Sequence, residues 1–263
     1  MSTFDSLPMV ALGGGKGGVG KSTVAVNLAL SASADGLRTL LLDFDLGLGD
    51  VPLILGVDAR SDLSAFLEKG RPITDCVIEG PSGLDYLALE QGDGTSVRDA
   101  GPITRRILTA LAQLADPYDL VVVDCPSGID AMTLELGMRA RRMLVVTNPE
   151  PVAMTDAYGF VKALDAEAAE RGVDLPTPEL FINSCADRGE ALRTAEHLSR
   201  VAQRFLSRGP RLAGWLPRSR AVARAVARQE PFVSSEPDCL PARLVSKLRK
   251  RLVDALVPSP RAA

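Results

Sequence analysis

Short, nearly uninterrupted apolar runs alternate along this chain with longer segments in which apolar residues recur every three or four positions. The runs are Met9–Leu12, Arg38–Asp43, Leu84–Leu89, Tyr118–Asp124, Arg142–Thr147, Leu180–Asn183 and Arg211–Leu216. Runs of this length without polar alternation predict strands covered on both faces, as in a parallel sheet. Helical spacing occupies Val24–Ala34, a segment from Ile103 through Ile107, Leu108, Leu111 and Leu114, then Val152–Glu170, Gly189–Ser207, Ala221–Gln229 and Leu240–Leu256. Ser61–Leu67 reads as a capped helix ended by Gly70. Pro52–Gly56 is short and apolar, Pro72–Glu90 holds two extended runs around Gly80-Pro81-Ser82-Gly83, and Gly92–Gly101 reads as a loop. Strands alternating with helices predict an α/β fold: one doubly wound, mostly parallel sheet with helices on both faces. No linker-like stretch and no repeat interrupts the pattern, so residues 1–263 are expected to form a single domain.

Composition refines this picture in one respect. Hydrophobic residues are 46% of the chain but aromatics only 4%, so the core must be aliphatic, as a Val/Leu/Ile-rich parallel sheet requires. No apolar run approaches the length of a membrane-spanning helix. MSTFDSLP at the start has neither a basic segment nor a long apolar one, so no secretory signal is expected. Cys76, Cys125, Cys185 and Cys239 are scattered without a C-x-x-C pair, which fits reduced thiols and a cytoplasmic setting better than a disulfide framework or a zinc site.

Charge is unevenly spread. The chain carries a net −3, yet Arg188–Arg251 holds fifteen Lys/Arg against five Asp/Glu. That third is a candidate surface for an anionic partner, whether phospholipid, nucleic acid or acidic protein, or simply a solvated helix surface. In the last helix Leu240, Leu244, Val245, Leu248, Leu252, Val253 and Leu256 make one face, with Arg243, Lys247, Lys250 and Arg251 largely off it. Such a helix can lie on an anionic membrane or close the core of an α/β domain.

Candidate chemistry concentrates between the first strand and the first helix, in GGGKGGVGKST. Gly15, Gly20, Lys21 and Ser22 match a glycine, four residues, then Gly-Lys-Ser/Thr, and the strand–loop–helix context is the one this motif needs. Glycines let backbone N–H groups turn inward around phosphate oxygens, and the helix N-terminus adds partial positive charge. Gly15, Gly17, Gly18, Val19, Gly20, Lys21, Ser22 and Thr23 are therefore the expected phosphate-binding set. Lys21 would reach the β- and γ-phosphates, and Ser22 would hold Mg²⁺. Lys16 is a second lysine where the general motif leaves the position free.

Acidic groups end two of the strands. Asp43 and Asp45 close the second, at the sheet end that faces the ligand crevice in open α/β folds, with Gly47 and Gly49 behind them. Asp124 ends the run Leu120–Val123 and reads as the Walker B carboxylate, a Mg²⁺ partner. Gly128 is placed to turn an N–H toward the γ-phosphate. Asn183 ends a later strand, where an amide can donate and accept at an adenine edge. Trp215 is expected in the core, and His197, far from every motif, in a structural role.

The Gly-Lys-Gly-Gly-Val-Gly-Lys-Ser loop resembles the deviant phosphate loop of the MinD/ParA/nitrogenase-iron-protein class. GKGGVGKST, LLDFDLGLGDVPLILG, DLVVVDCPSGID and VVTNPEPVAMTDAYGFVKAL look like its MinD branch, and the second and fourth phrases look most like the FlhG (FleN) flagellar-number regulators. The resemblance implies an ATPase switch using ATP and Mg²⁺ that dimerises face to face. Lys16 would cross to the other subunit's nucleotide, Asp45 would position the attacking water, and Asp43 and Asp124 would support the metal. Lys16, Asp45 and Lys21 would be its catalytic residues. Implied partners are a second copy of the chain, an FlhF-like flagellar GTPase or a flagellar transcription activator, and weakly a membrane surface at the inner membrane or cell pole. A ParA-like DNA-binding partition ATPase is the alternative. A metal-cluster ATPase would need paired cysteines.

Overall fold

The computed structural model describes residues 7–44, 50–57, 66–67, 69–88, 100–113, 118–206 and 208–256. Eight strands form one sheet: β1 (Met9–Gly13), β2 (Thr39–Asp43), β3 (Ile78–Glu79), β4 (Asp85–Ala88), β5 (Leu120–Asp124), β6 (Arg142–Thr147), β7 (Glu179–Cys185) and β8 (Arg211–Pro217). Their spatial order is β3-β4-β2-β5-β1-β6-β7-β8, and every neighbouring pair is parallel except β3 with β4. The doubly wound, mostly parallel sheet read from the sequence is therefore the observed fold.

Strand pleat sends alternate residues to opposite layers. Met9 and Ala11 of β1 enter one core, and Val10 and Leu12 enter the other. The first core is roofed by α3 (Ala100–Gln113), α4 (Ala131–Arg139), α5 (Pro151–Arg171) and α6 (Arg188–Leu206). The second lies under α1 (Lys21–Ala34), α2 (Asp50–Leu55), α7 (Arg220–Arg228), the short α8 (Phe232–Ser235) and α9 (Leu240–Leu256). The chain leaves β1 toward β5 and β2 on one side and later builds β6, β7 and β8 on the other. β1 is thus where the winding reverses, which puts a crevice at its C-terminal end.

The two uses left open for the last helix are separated by its packing. Val245, Leu248, Leu252 and Leu256 of α9 are buried against α1 and β8, with Leu244 and Val253 partly buried beside them. From Leu244 onward the apolar stripe closes the core while Leu240 stays exposed, and Arg243, Lys247, Lys250 and Arg251 are exposed. Among the described residues no helix is long and apolar enough to cross a membrane.

β8 is an open edge, and it is guarded. Its register slips beside Ala213, because Leu180 faces Leu212 while Phe181 faces Gly214. Arg251 of α9 then donates Nη1–H to the carbonyls of Leu212 at 3.0 Å and Ala213 at 2.8 Å. A bulge and a bound guanidinium together remove acceptors that another strand would use.

Several boundaries differ from expectation. Pro52–Gly56 is mostly helix α2, and the first extended run after Pro72 is a 3₁₀ turn, Ile73–Cys76, before the two-residue β3. Ala100 and Gly101 open α3 instead of ending a loop, because Pro102 in a first helical turn loses no hydrogen bond. Trp215 is half-buried in a surface cleft, and His197 is exposed on α6. Asp45, Gly47, Gly49, Ser61–Ala65, Leu89, residues 92–99, Leu114 and Ser207 lie outside the described residues.

Candidate active site

The loop from Gly14 to Gly20 joins the central strand β1 to α1. Gly20 is the N-cap of α1 in left-handed geometry (φ 91°), and no side chain caps the helix. The first-turn N–H groups, which an α-helix cannot satisfy internally, therefore open into the loop. Two glycines are required here for different reasons. A Cβ on Gly20 would lie 2.3 Å from Asn183 Nδ2, besides straining the positive φ. A Cβ on Gly15 would lie 2.4 Å from the Asp156 carbonyl oxygen of α5.

Lys21 is almost wholly buried, and its Nζ donates to Ser127 Oγ at 2.7 Å. Ser127 belongs to the turn between β5 and α4, whose far end is fixed by Asp130 accepting from the Thr133 N–H at 2.7 Å. The Gly128 N–H, expected to face a phosphate, here donates to the Gly14 carbonyl at 3.3 Å. The turn thus rests against the loop through both Ser127 and Gly128.

Asp43 and Asp124 are direct register partners at the ends of β2 and β5, each 2% exposed. Leu12, the register partner of Asp124 on β1, places both carboxylates beside the loop. Ser22 and Thr23, half-buried in the first turn of α1, add hydroxyls. Two carboxylates and a hydroxyl are hard oxygen donors of the kind Mg²⁺ takes together with water and phosphate oxygens. The uncapped helix start, the glycine-rich loop and this donor set fit a Mg²⁺-bound nucleotide. Asp45, the expected water-positioning residue, lies outside the described residues.

Lys16 is bound within its own chain. Its Nζ lies 3.0 Å from Glu150 Oε2, in the Asn148-Pro149-Glu150-Pro151 turn after β6, with the two side chains 37% and 62% exposed. An ion pair this open is worth about 0–1 kcal/mol and is easily exchanged.

Asn183 lines an open cleft of about 480 Å³ with Thr23, Ser184, Pro217, Arg218 and Val222. Its amide is already engaged at both ends: Nδ2 donates to the Val19 carbonyl at 2.8 Å, and Oδ1 accepts from the Ser184 N–H at 2.9 Å. Ser184 is itself left-handed (φ 56°). Asn183 therefore fastens the loop to β7 in this state, beside that cleft.

The structure brings Gly15, Gly17, Gly18, Val19, Gly20, Lys21, Ser22, Thr23, Asp43, Asp124 and Asn183 to one end of the sheet, with Lys16 at its rim. Three participants escape a reading by motif: Ser127, Glu150 and the Pro217–Arg220 turn. Ser127 and Glu150 carry a positional signal, since each follows a buried strand leading to this end. The Pro217–Arg220 turn carries none.

Among the described residues no group of three or more His, Cys, Asp and Glu could hold a metal ion. Burial drives the Cys125 thiol far above the usual thiol range; the Asp124 charge adds to this and Lys21 opposes it. Burial likewise pushes the Cys185 thiol up to about 12. Both stay protonated and unreactive near neutral pH, since the thiolate is the reactive form. In a DTNB time course on the native protein, half-buried Cys239 is expected to react first, with Cys76, Cys125 and Cys185 reacting only after denaturation.

A family profile described as ParA, NUBPL iron-transfer P-loop NTPase, matches residues 7–253. The antiactivator FleN of Pseudomonas aeruginosa is 30% identical over 237 residues, covering 90% of this chain and 83% of FleN. This chain belongs to the ParA/MinD family of P-loop NTPases. The flagellum site-determining protein YlxH of Helicobacter pylori is 28% identical, over 91% of this chain and 82% of YlxH. Among solved structures, the septum site-determining protein MinD of Pyrococcus horikoshii, complexed with Mg-ADP, superposes with a TM-score of 0.70 at 21% identity, covering 93% of this chain and 95% of that one. The Gly15–Thr23 loop lies within the matched region, at residues 7–253.

Proposed function

We propose that this ParA/MinD-family protein is a MgATP-dependent switch that dimerises on ATP, hydrolyses it slowly under partner control, and sets the position or number of flagella or of a related polar structure. The observation that carries the reading is the second loop lysine, Lys16, held at the rim of the site by an exposed and weak ion pair. A lysine placed so can leave Glu150 at little cost and reach a nucleotide on a facing subunit. The flagellar assignment rests on the likeness to FleN and YlxH.

Each residue has its share of the work. Backbone N–H groups of the loop, Lys21, Ser22 and Thr23 hold the triphosphate, and the cleft beside Asn183 takes the base. Ser22, Asp43 and Asp124 would hold Mg²⁺, which would supply positive charge against the bound phosphates. Binding draws Lys21 away from Ser127, freeing the Ser127–Gly128 turn to follow the γ-phosphate. Asp45 orients the attacking water. Release of phosphate lets the turn fall back and the dimer part. A flagellar GTPase of the FlhF kind or a transcription activator is the partner class, and contact with the inner membrane or cell pole is peripheral.

Analytical ultracentrifugation with Asp45→Ala tests the switch. This variant is expected to accumulate as dimer with MgATP, to stay monomeric with MgADP, and to turn over little ATP. Lys16→Ala is expected to bind ATP as a monomer, but to dimerise poorly and to lose about 10²–10³ in rate. Normal dimerisation and turnover by Lys16→Ala would remove the crossing role. A pull-down from native cells with Asp45→Ala would then identify the machine served.

A second reading, a ParA-like DNA-binding partition ATPase, is favoured by exposed Arg220 and Arg228 on α7, within the cationic C-terminal third. It predicts ATP-dependent duplex binding that weakens steeply with salt. A gel shift indifferent to ATP would count against it.

A further inference from the structure

At the other end of the sheet, the first residues of β6, β7 and β8 open into a cleft of about 560 Å³ in which four arginines converge: Arg142, Arg208, Arg211 and Arg251. Its acidic lining residue is Glu179, whose side chain is 9% exposed. Both Glu179 oxygens are taken, one by Arg142 and the other by Arg251 Nη2 at 2.5 Å. Arg208 is matched by Asp165 and also donates to the Leu175 carbonyl at 2.8 Å. Two carboxylates thus face four guanidinium groups, which leaves a surplus of two positive charges. Arg211 is exposed with no hydrogen-bond or ion-pair partner among the described residues, and Arg142 Nε is buried without a hydrogen-bond partner among them. Thr177 and Gln203 add neutral donors at the rim.

Tying the strands together is done by Arg142, Arg208 and Arg251 on Glu179 and Asp165, and Arg211 has no part in it. Here the surplus points into a concavity, and guanidinium groups recognise phosphate oxygens by paired, charge-assisted hydrogen bonds. We propose that this cleft is a second anion site, for a compact di- or triphosphate group, separate from the P-loop. Glu179 and Asn183 stand four residues apart on β7, roughly 13 Å along the strand, so the two sites share one rigid element but not their ligands. The concavity suits a compact phosphate cluster better than a duplex, whose backbone needs a long convex or grooved track. The site accounts for part of the cationic excess of the C-terminal third, and it does not depend on the switch proposed above.

The probe is sodium tripolyphosphate, titrated calorimetrically without Mg²⁺ at low ionic strength. The proteins are the full chain, Lys21→Ala, and Lys21→Ala combined with Arg211→Ala or Arg211→Lys. Arg211 is exposed on an edge strand, so its replacement leaves the fold intact, and circular dichroism checks this. The site predicts binding that persists in Lys21→Ala, weakens roughly tenfold or more in Lys21→Ala/Arg211→Ala, and is partly restored by lysine. Binding lost with Lys21→Ala alone would mean that the P-loop is the sole phosphate site. Affinity indifferent to Arg211, or no binding to any form, would equally overturn the proposal. So would Arg211-dependent binding of a 20-bp duplex with none of tripolyphosphate, since that describes a surface tracking nucleic acid.

Discussion

Lys21→Ala is expected to abolish measurable ATP binding and to lower turnover by about 10²–10³ or more, with the fold retained. The amine is buried beside the loop and donates a hydrogen bond to Ser127 Oγ, on the turn after the Asp124 strand. Removing it deletes the cation that would face the β- and γ-phosphates and also unties the turn from the loop. Both effects fall on the site, because the aliphatic stem contributes little to either core. Fluorescent-nucleotide titration measures the binding loss, and far-ultraviolet dichroism with a thermal melt measures the retained fold. Wild-type affinity in Lys21→Ala would refute the assignment of the loop to phosphate.

Gly15→Ala is expected to damage fold and site together, unlike Lys21→Ala. The added Cβ would lie 2.4 Å from the Asp156 carbonyl oxygen, 2.7 Å from its carbonyl carbon and 2.8 Å from its Cβ. These atoms belong to the body of α5 and cannot swing aside as a side-chain tip would. Relief must come from moving α5 or the loop, and overpacking of this kind costs about 1–3 kcal/mol. In a chain of this size each kcal/mol lowers the melting temperature by about 2–4 °C. Gly17→Ala is the matched control: its Cβ would meet only Ser127, with Oγ at 3.7 Å, an ordinary contact. A thermal melt should therefore show a fall for Gly15→Ala and none for Gly17→Ala. Equal melts would mean that α5 does not grip the loop as described.

Much of the site is legible in the sequence, and the reason is local. Gly20, Lys21, Ser22 and Thr23 are placed by backbone shape and a helix start, which neighbouring residues dictate. Asp43 and Asp124 are legible because each ends an uninterrupted apolar run, and parallel strands bring their ends to one side. The Asn183 position is legible in the same way. Its bonds are not, because Val19 is 164 residues away and nothing in either segment names the other.

The last helix illustrates the opposite case. Its stripe from Leu240 to Leu256 has the same periodicity whether it lies on lipid or on protein, so spacing cannot choose. Burial of Val245, Leu248, Leu252 and Leu256 against α1 and β8 selects the core. The same packing sets Arg251 over the Leu212 and Ala213 carbonyls and against Glu179. It also turns a diffuse excess of positive charge into a defined cleft.

By itself the sequence determined the sheet class, the aliphatic core, the phosphate loop and the strand-end carboxylates, because these follow from periodicities and spacings within one or two elements. Only the tertiary structure decided which groups hold the loop's lysines, Ser127 for Lys21 and Glu150 for Lys16, across 106 and 134 residues. It alone gathered four arginines at the far end of the sheet. Such pairings depend on how strands are ordered side by side, and that order is settled by the packing of whole layers, not by any local pattern of residues.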